Sequence, residues 1–216
     1  MNDRFYMACL RDSVGGSLAF HSVGGCGYTT DVRNARVYTL AEAQMAWDSG
    51  RDIDQPISAS HIDKCLVWKV DHQYVPCEDT ILSSTLTKYV AFKKEVWCGN
   101  DLYFKTHDEL IVNSTDFNKS QVMCNPEKDK NYISIPYYTA RDASRPTFRE
   151  SSINRRKMIT GAGLRQPEHI TKSKRRSSRQ STGLNRLNCP SCGRIAWQYN
   201  PYDFDECKNP NCNGVN

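Results

Sequence analysis

The sequence predicts an α+β domain over residues 1–140, a basic flexible linker over 141–187 and a small four-cysteine module over 188–216. Short apolar segments between glycine-rich turns predict a mostly antiparallel sheet, and one capped segment predicts a single main helix. After residue 140 apolar residues become sparse and basic residues accumulate. Two close pairs of cysteines then mark the C-terminal module. A chain of 216 residues has room for one medium domain and one small one.

The N-terminal segment predicts a β-hairpin. Residues 4–10 are apolar and rich in aromatic side chains, which is typical of a buried strand. The turn over 13–17 contains two glycines, and residues 17–21 would pair back on the first strand. A second glycine-rich loop over 22–27 and a short strand over 36–38 complete this part of the predicted sheet.

The predicted main helix begins after Thr39. Thr39 is a favourable N-cap, and Glu42 lies three residues further on, so the pair can form a capping box. Gly50 supplies the stop signal. The residues expected on the apolar face of this helix are Leu40, Ala43, Ala46 and Trp47.

The middle of the chain predicts further strands. Residues 65–70 form an almost continuous apolar run, which predicts a central strand. Thr and Val favour strands over a helix between 80 and 96, and the alternation that reaches Pro136 predicts an edge strand. These strands either extend the sheet of residues 4–77 or form a second small sheet. The candidates within 78–140 are 81–86, 89–96, 102–104, 110–112 and 132–138.

Positive charge is concentrated in one segment. Residues 141–186 contain 13 Lys and Arg and 3 Asp and Glu, so their net charge is +10, against −4 for residues 1–140. Too little apolar surface is present to offset the entropy of ordering, which predicts flexibility. Clustered cations bind nucleic-acid phosphates; the alternatives are an acidic protein partner or a solubilising tether. The candidate nucleic-acid-binding residues are Arg155, Arg156, Lys157, Lys172, Lys174, Arg175, Arg176, Arg179, Arg186, Arg194 and Tyr199.

The last four cysteines predict a metal site. Fourteen residues separate Cys189-Pro-Ser-Cys192 from Cys207-Lys-Asn-Pro-Asn-Cys212. Two such loops can direct four thiolates to one point, as tetrahedral Zn²⁺ requires, and four protein ligands leave no open position for catalysis. Two disulfides in a secreted tail are the alternative. The sequence Cys-Pro-x-Cys-Gly resembles the knuckle of the zinc-ribbon family, which implies one structural Zn²⁺, although the second loop is longer than the common ribbon spacing.

The residues between the two cysteine pairs predict a hairpin arm with aromatic side chains. Residues 194–199 alternate in character, and residues 200–203 are rich in turn formers. We expect Trp197 in the small core of the module and Tyr199 or Tyr202 as exposed faces for base stacking.

Other sites have weaker signals. The chain contains no P-loop, Gly-x-Ser-x-Gly or His-Glu-x-x-His sequence, so we expect neither enzyme activity nor a small-molecule substrate. Cys26 beside His21 could act as nucleophile and base, but a tight glycine turn explains this loop more simply. Spacings that could serve a second metal occur at His61, Cys65, His72 and Cys77, but structural thiols buried in the core are the simpler explanation of these cysteines.

Residues 27–31 and 37–43 resemble small accessory proteins of bacteriophages and other mobile elements, which implies a host cytoplasm and no known activity. The absence of a long apolar run or a signal-like N-terminus, together with ten cysteines, also favours the cytoplasm. We therefore expect a non-enzymatic, phage-encoded zinc protein that binds DNA or RNA. The alternative is an effector that docks on a host complex such as RNA polymerase, the ribosome or a defence system.

Overall fold

The computed structural model of the protein describes residues 4–82, 87–173 and 183–212. The chain divides into two compact units, Met1–Arg165 and Gln166–Asn216. As predicted, the first unit is α+β, and every strand pair in the described ranges is antiparallel. No helix in these ranges is both long and apolar enough to cross a lipid bilayer.

The first sheet is built around the long N-terminal strand β1 (Arg4–Val14). The predicted hairpin with β2 (Ser17–His21) is confirmed, and β3 (Tyr28–Thr29) extends it. Strands β4 (Val37–Thr39) and β5 (Asp54–Ser58) also pair with β1. The apolar run of β1 is explained by its burial, since its residues from Phe5 to Cys9 are all buried.

The main helix α1 (Leu40–Ser49) has the predicted capping box. The Thr39 amide donates to Glu42 Oε2 at 2.8 Å, and the Glu42 amide donates to Thr39 Oγ1 at 3.3 Å. Gly50 is the C-cap, and Trp47 is buried to 1% exposure. Of the predicted apolar face, Ala43 and Trp47 are buried, whereas Leu40 and Ala46 are half-buried. The cap could be predicted because it depends on local spacing alone.

Residues 78–140 contribute a second sheet within the same unit. Its order is β10 (Tyr132–Pro136), β7 (Tyr89–Cys98), β8 (Asp101–Lys105) and β9 (Asn113–Ser114), so the predicted edge position of β10 is confirmed. The strand predicted over 110–112 is wrong, because Leu110 is 94% exposed and pairing begins only at Asn113. Of the strand predicted over 81–86, residues 83–86 lie outside the described ranges, and residues 81 and 82 are not in a strand.

Strand β6 (Val67–Val70) is not the central strand that its apolar run predicted. Within the described ranges its ladder partner is β11 (Ser144–Thr147), in a two-stranded sheet. The short helix α2 (Ala59–Ile62) precedes it. The apolar run reflects burial without a central position, because Val70 is fully buried in the apolar core and Lys69 is buried in an ion pair.

The predicted flexible linker is wrong for residues 141–165, which fold within the first unit. Helix α3 (Tyr137–Asp142) leads into β11, and helix α4 (Arg155–Met158) follows. A few dispersed apolar side chains suffice to order this segment, because each is buried while the intervening arginines face solvent or acidic groups. These buried residues are Phe148, Met158, Ile159 and Leu164.

A buried ion cluster joins the β6–β11 pair to the second sheet. Lys69 Nζ on β6 lies 2.9 Å from Asp101 Oδ2 on β8, and Arg145 Nη2 on β11 lies 2.6 Å from Asp101 Oδ1. Lys69 also donates to the carbonyl of Gly15, at 3.1 Å, in the β1–β2 turn. A β-carbon on Gly15 would lie 2.1 Å from the Cys98 carbonyl oxygen, so this close approach of the two hairpin turns requires glycine.

Candidate metal centre

The second unit contains a hairpin that positions the first cysteine pair. Strand β12 (Asn185–Asn188) pairs with β13 (Ile195–Gln198), so Cys189 and Cys192 lie in the connecting loop. The Cys189 amide donates to the Arg194 carbonyl and the Gly193 amide to the Cys189 carbonyl, both at 2.8 Å. Gly193 has a φ of +70°, which favours glycine at this position. The β13 arm is confirmed, whereas its partner β12 lies inside the predicted linker.

The second cysteine pair lies in a longer loop that Asn209 closes. The Cys212 amide donates to the Asn209 carbonyl at 3.0 Å, and the Asn211 amide donates to Asn209 Oδ1 at 3.3 Å. Asn209 Nδ2 also lies 3.8 Å from Cys192 Sγ in the first loop. These bonds explain how a loop longer than the common spacing still brings both of its thiols to the same point.

The four thiols have the separations of a tetrahedral site. Cys189 Sγ lies 3.6 Å from Cys212 Sγ, Cys192 Sγ lies 3.6 Å from Cys207 Sγ, and all four sulfurs lie within 4.8 Å of one another. A Zn–S bond of about 2.3 Å in tetrahedral geometry places the sulfurs about 3.8 Å apart, whereas a disulfide needs about 2.05 Å. All four cysteines are free. They form one potential metal site that fits a single structural Zn²⁺.

Backbone amides make the thiols of the first loop more acidic. The Arg194 amide lowers the pKa of Cys192 to about 6, and the Cys192 amide lowers the pKa of Cys189. The pKa of Cys207 is raised instead: the Asn209 amide lowers it, but burial and the thiols of Cys192 and Cys189 raise it more. Four thiolates this close repel one another, and a divalent cation among them removes that repulsion.

Gln198 is a buried polar residue that the sequence analysis missed. Its side-chain amide donates to the carbonyls of Asn200, at 2.9 Å, and Asp203, while its Oε1 accepts from the Asp205 amide at 2.9 Å. These bonds fix the loop that leads from the hairpin to Cys207. The sequence could have predicted the burial of Gln198. Alternation over 195–199 places Ala196 and Gln198 on one face and the large apolar side chains on the other.

The prediction that Trp197 belongs to the core of the module is wrong. Trp197 is 52% exposed and Tyr199 is 77% exposed, so the aromatic face of β13 points to solvent. Buried groups in the described part of this unit include Cys189 and Gln198 instead. Tyr202 is 90% exposed, in agreement with its expected position.

The predicted nucleic-acid-binding residues fall into three groups. Arg155, Arg156 and Lys157 lie exposed on α4 of the first unit, where Arg155 donates to Gln55. Lys172, which pairs with Glu168 at 2.9 Å, belongs to the second unit, as do Arg186, Arg194 and Tyr199. Lys174, Arg175, Arg176 and Arg179 lie outside the described residues.

The other candidate sites are not assembled in the described part of the chain. The four-cysteine cluster is the only group of at least three metal-ligating side chains found there. His61 Nδ1 contacts the Ser58 hydroxyl at 3.1 Å, while Cys77 donates to the carbonyls of His72 and Val75. His21 contacts Asp54 at 3.2 Å, so its hydrogen-bond partner is a carboxylate.

Comparison with known proteins gives no relative for this chain: no family model, no curated protein and no solved structure matches it.

Proposed function

We propose that this chain is a non-enzymatic zinc-binding protein whose C-terminal unit associates with nucleic acid, DNA or RNA. The charge imbalance between the units carries the proposal. Residues 166–216 contain eight Lys and Arg against four Asp and Glu, whereas residues 1–165 contain 21 against 20. An excess of cations within a small unit favours phosphate binding with release of counterions.

The metal site supports interpretation of this unit as a zinc ribbon. The β12–β13 hairpin carries one cysteine pair in its loop, and the Asn209 loop brings the second pair to it. The folding of such small units depends on the metal, because binding supplies about 10–16 kcal/mol of folding free energy. A phage origin and a host cytoplasm remain predictions from the resemblance of residues 27–31 and 37–43.

A salt titration tests nucleic-acid binding. Fluorescence anisotropy of labelled DNA and RNA is measured over a range of salt concentrations. Each phosphate contact adds about 0.7–0.9 to the slope of log Kobs against log salt, so replacing four contacting cations with Gln should reduce the slope by roughly 3. The test variant is Lys174→Gln, Arg175→Gln, Arg176→Gln and Arg179→Gln.

The control replaces Arg155, Arg156 and Lys157 with Gln in the first unit. Three contacting cations would reduce the slope by about 2–3, whereas we expect no change in slope from these three residues. If the unmodified protein shows no salt-sensitive binding at low ionic strength, the proposal fails.

A second candidate, docking on a host protein complex, is favoured by one observation. The loop before β9 exposes three consecutive apolar side chains, with Leu110 at 94% and Ile111 and Val112 each at 50% exposure. Apolar patches of this kind mark protein-interaction sites. A pull-down from nuclease-treated bacterial lysate tests this candidate. A stoichiometric partner lost from the Leu110→Asp variant would support it, and a partner retained by that variant would exclude this loop as the docking site.

A further inference from the structure

The β12–β13 hairpin presents an aromatic row on one exposed face. Ile195, Trp197 and Tyr199 alternate along the chain and are 49%, 52% and 77% exposed. Alternate residues of a strand share a face, which places Ile195 and Trp197 on one side of β13, and Tyr199 follows directly after the strand. Arg186 on β12 is the direct cross-strand partner of Trp197, so its side chain belongs to the same face. The face therefore combines two aromatic rings, an aliphatic side chain and a guanidinium group.

The backbone that carries this row is fixed. Asn185 Nδ2 donates to the Tyr199 carbonyl at 2.8 Å, and the buried Gln198 side chain anchors the strand between the two aromatic residues. The Tyr199 ring lies against Gly183, with Cε1 3.6 Å from where a β-carbon on that glycine would be. Because the backbone is held by these bonds, the surface loses little conformational entropy when a ligand binds. This favours a role in ligand contact for the exposed aromatic side chains.

Two exposed aromatic residues lie next to each other at the end of β13. Trp197 is within the strand, which ends at Gln198, and Tyr199 is the residue that follows the strand. Because only Gln198 separates them, their Cα atoms are at most about 7 Å apart. Each ring is exposed and can stack with one base of the same nucleic-acid strand.

The charges beside this face are balanced. A groove along β13 is lined by Arg194 and Lys208, but also by Asp205 and Glu206. Because these charges cancel, the groove itself attracts phosphates only weakly. Aromatic side chains make up much of its exposed surface. Its chemistry favours contact with the faces of bases, while the surplus cations of the second unit supply attraction to the backbone.

We propose that the exposed face of Trp197, Tyr199 and Arg186 binds unpaired bases of single-stranded nucleic acid by stacking. This inference rests on the proposed function and adds the class of ligand. In a duplex the base faces are covered by neighbouring pairs, whereas in a single strand they are free to stack with aromatic side chains and with Arg. Stacking is tolerant of sequence, so we expect little preference among bases.

Three probes of equal length separate the contributions to binding: labelled oligothymidylate, an abasic oligonucleotide with the same phosphates, and a mixed-sequence duplex. We expect oligothymidylate to bind most tightly. Removing one stacking contact costs about 1–3 kcal/mol, so Trp197→Ala and Tyr199→Ala should each weaken oligothymidylate binding roughly 5- to 140-fold and leave abasic binding unchanged. Trp197→Phe keeps an aromatic face and should recover most of the affinity.

Tyr74→Ala is the matched control, because Tyr74 is 71% exposed on the first unit. The zinc content of every variant is measured, so that an unfolded module is not mistaken for a lost contact. Equal binding of oligothymidylate and abasic probe, or unchanged affinity in both alanine variants, overturns the stacking proposal while the nucleic-acid function stands. Absence of salt-sensitive binding to all three probes overturns the function itself.

Discussion

Replacing Asp101 with Asn should strongly destabilise the first unit. Asp101 is fully buried and accepts from two cations, Lys69 at 2.9 Å and Arg145 at 2.6 Å. Asn has nearly the same shape but no charge, so the change leaves the Lys69 ammonium, whose side chain is 2% exposed, without its counter-ion. Asp71 Oδ2, at 3.7 Å, still offsets part of the Arg145 charge.

Loss of one partner from a buried ion pair costs about 3–5 kcal/mol, because the remaining charge has lost its solvation as well as its partner. In a unit of this size 1 kcal/mol changes Tm by about 2–4 °C, which gives a decrease of roughly 6–20 °C. Lys69→Met together with Asp101→Asn removes both charges. The double variant should be more stable than the sum of the two single changes predicts, by about 0.5–3 kcal/mol.

The measurement is urea unfolding followed by tryptophan fluorescence in a Trp197→Phe background, where the remaining tryptophans all lie in the first unit. The control is Asp142→Asn, which breaks an exposed pair with Arg141 and should change the free energy of unfolding by less than about 1 kcal/mol. If Asp101→Asn costs no more than this control, or if the double variant is simply additive, the ion cluster does not hold the β6–β11 pair against the second sheet.

Three other predictions concern the metal site, the boundary of the first unit and the cap of α1. Elemental analysis should find about one zinc per chain less in the variant Cys189→Ser, Cys207→Ser than in the unmodified protein. Equal zinc content in the two proteins would show that these cysteines do not bind zinc. A chain ending at residue 165 should fold, whereas one ending at 140 should not, because it lacks β11 and the buried Phe148; circular dichroism and proteolysis compare the two. The Thr39 amide and hydroxyl hold the pKa of Glu42 below its ordinary 4.5, so its contribution to stability is present above that pH and is lost as pH falls through the folded-state pKa. The decrease in Tm between pH 7 and pH 3 should therefore be smaller in Glu42→Gln, and identical profiles would contradict this.

The features that were predictable from the sequence are those set by local spacing. The capping box of α1, the β1–β2 hairpin and the four-cysteine cluster each depend on residues a few positions apart, or on loops whose geometry follows from Pro and Gly. Each of these features is present in the structure. None of these predictions depended on contacts with residues elsewhere in the chain.

The errors within the predicted linker share one physical cause, which is pairing with residues that lie outside it. Strand β11 is recognisable only through β6, and β12 only through β13. The arginine content of residues 141–165 suggested disorder, yet Arg145 is ordered by Asp101, 44 residues away. Amino-acid composition reflects only the average cost of ordering a segment. Residues 141–165 are ordered by one buried ion pair and a few buried apolar side chains, which composition does not reveal.

The two units depend on different forces, and this makes the proposals separable. The first unit has an apolar core and a buried ion cluster, so removal of zinc should leave its unfolding unchanged. The second has a largely exposed aromatic face and few buried side chains among its described residues, so we expect its fold to depend on the metal site and the Gln198 bonds. Nucleic-acid affinity that disappears on chelation while the first unit stays folded would place binding in the second unit. Affinity that survives chelation would instead indicate binding by the first unit, for which Arg155, Arg156 and Lys157 are the candidate residues.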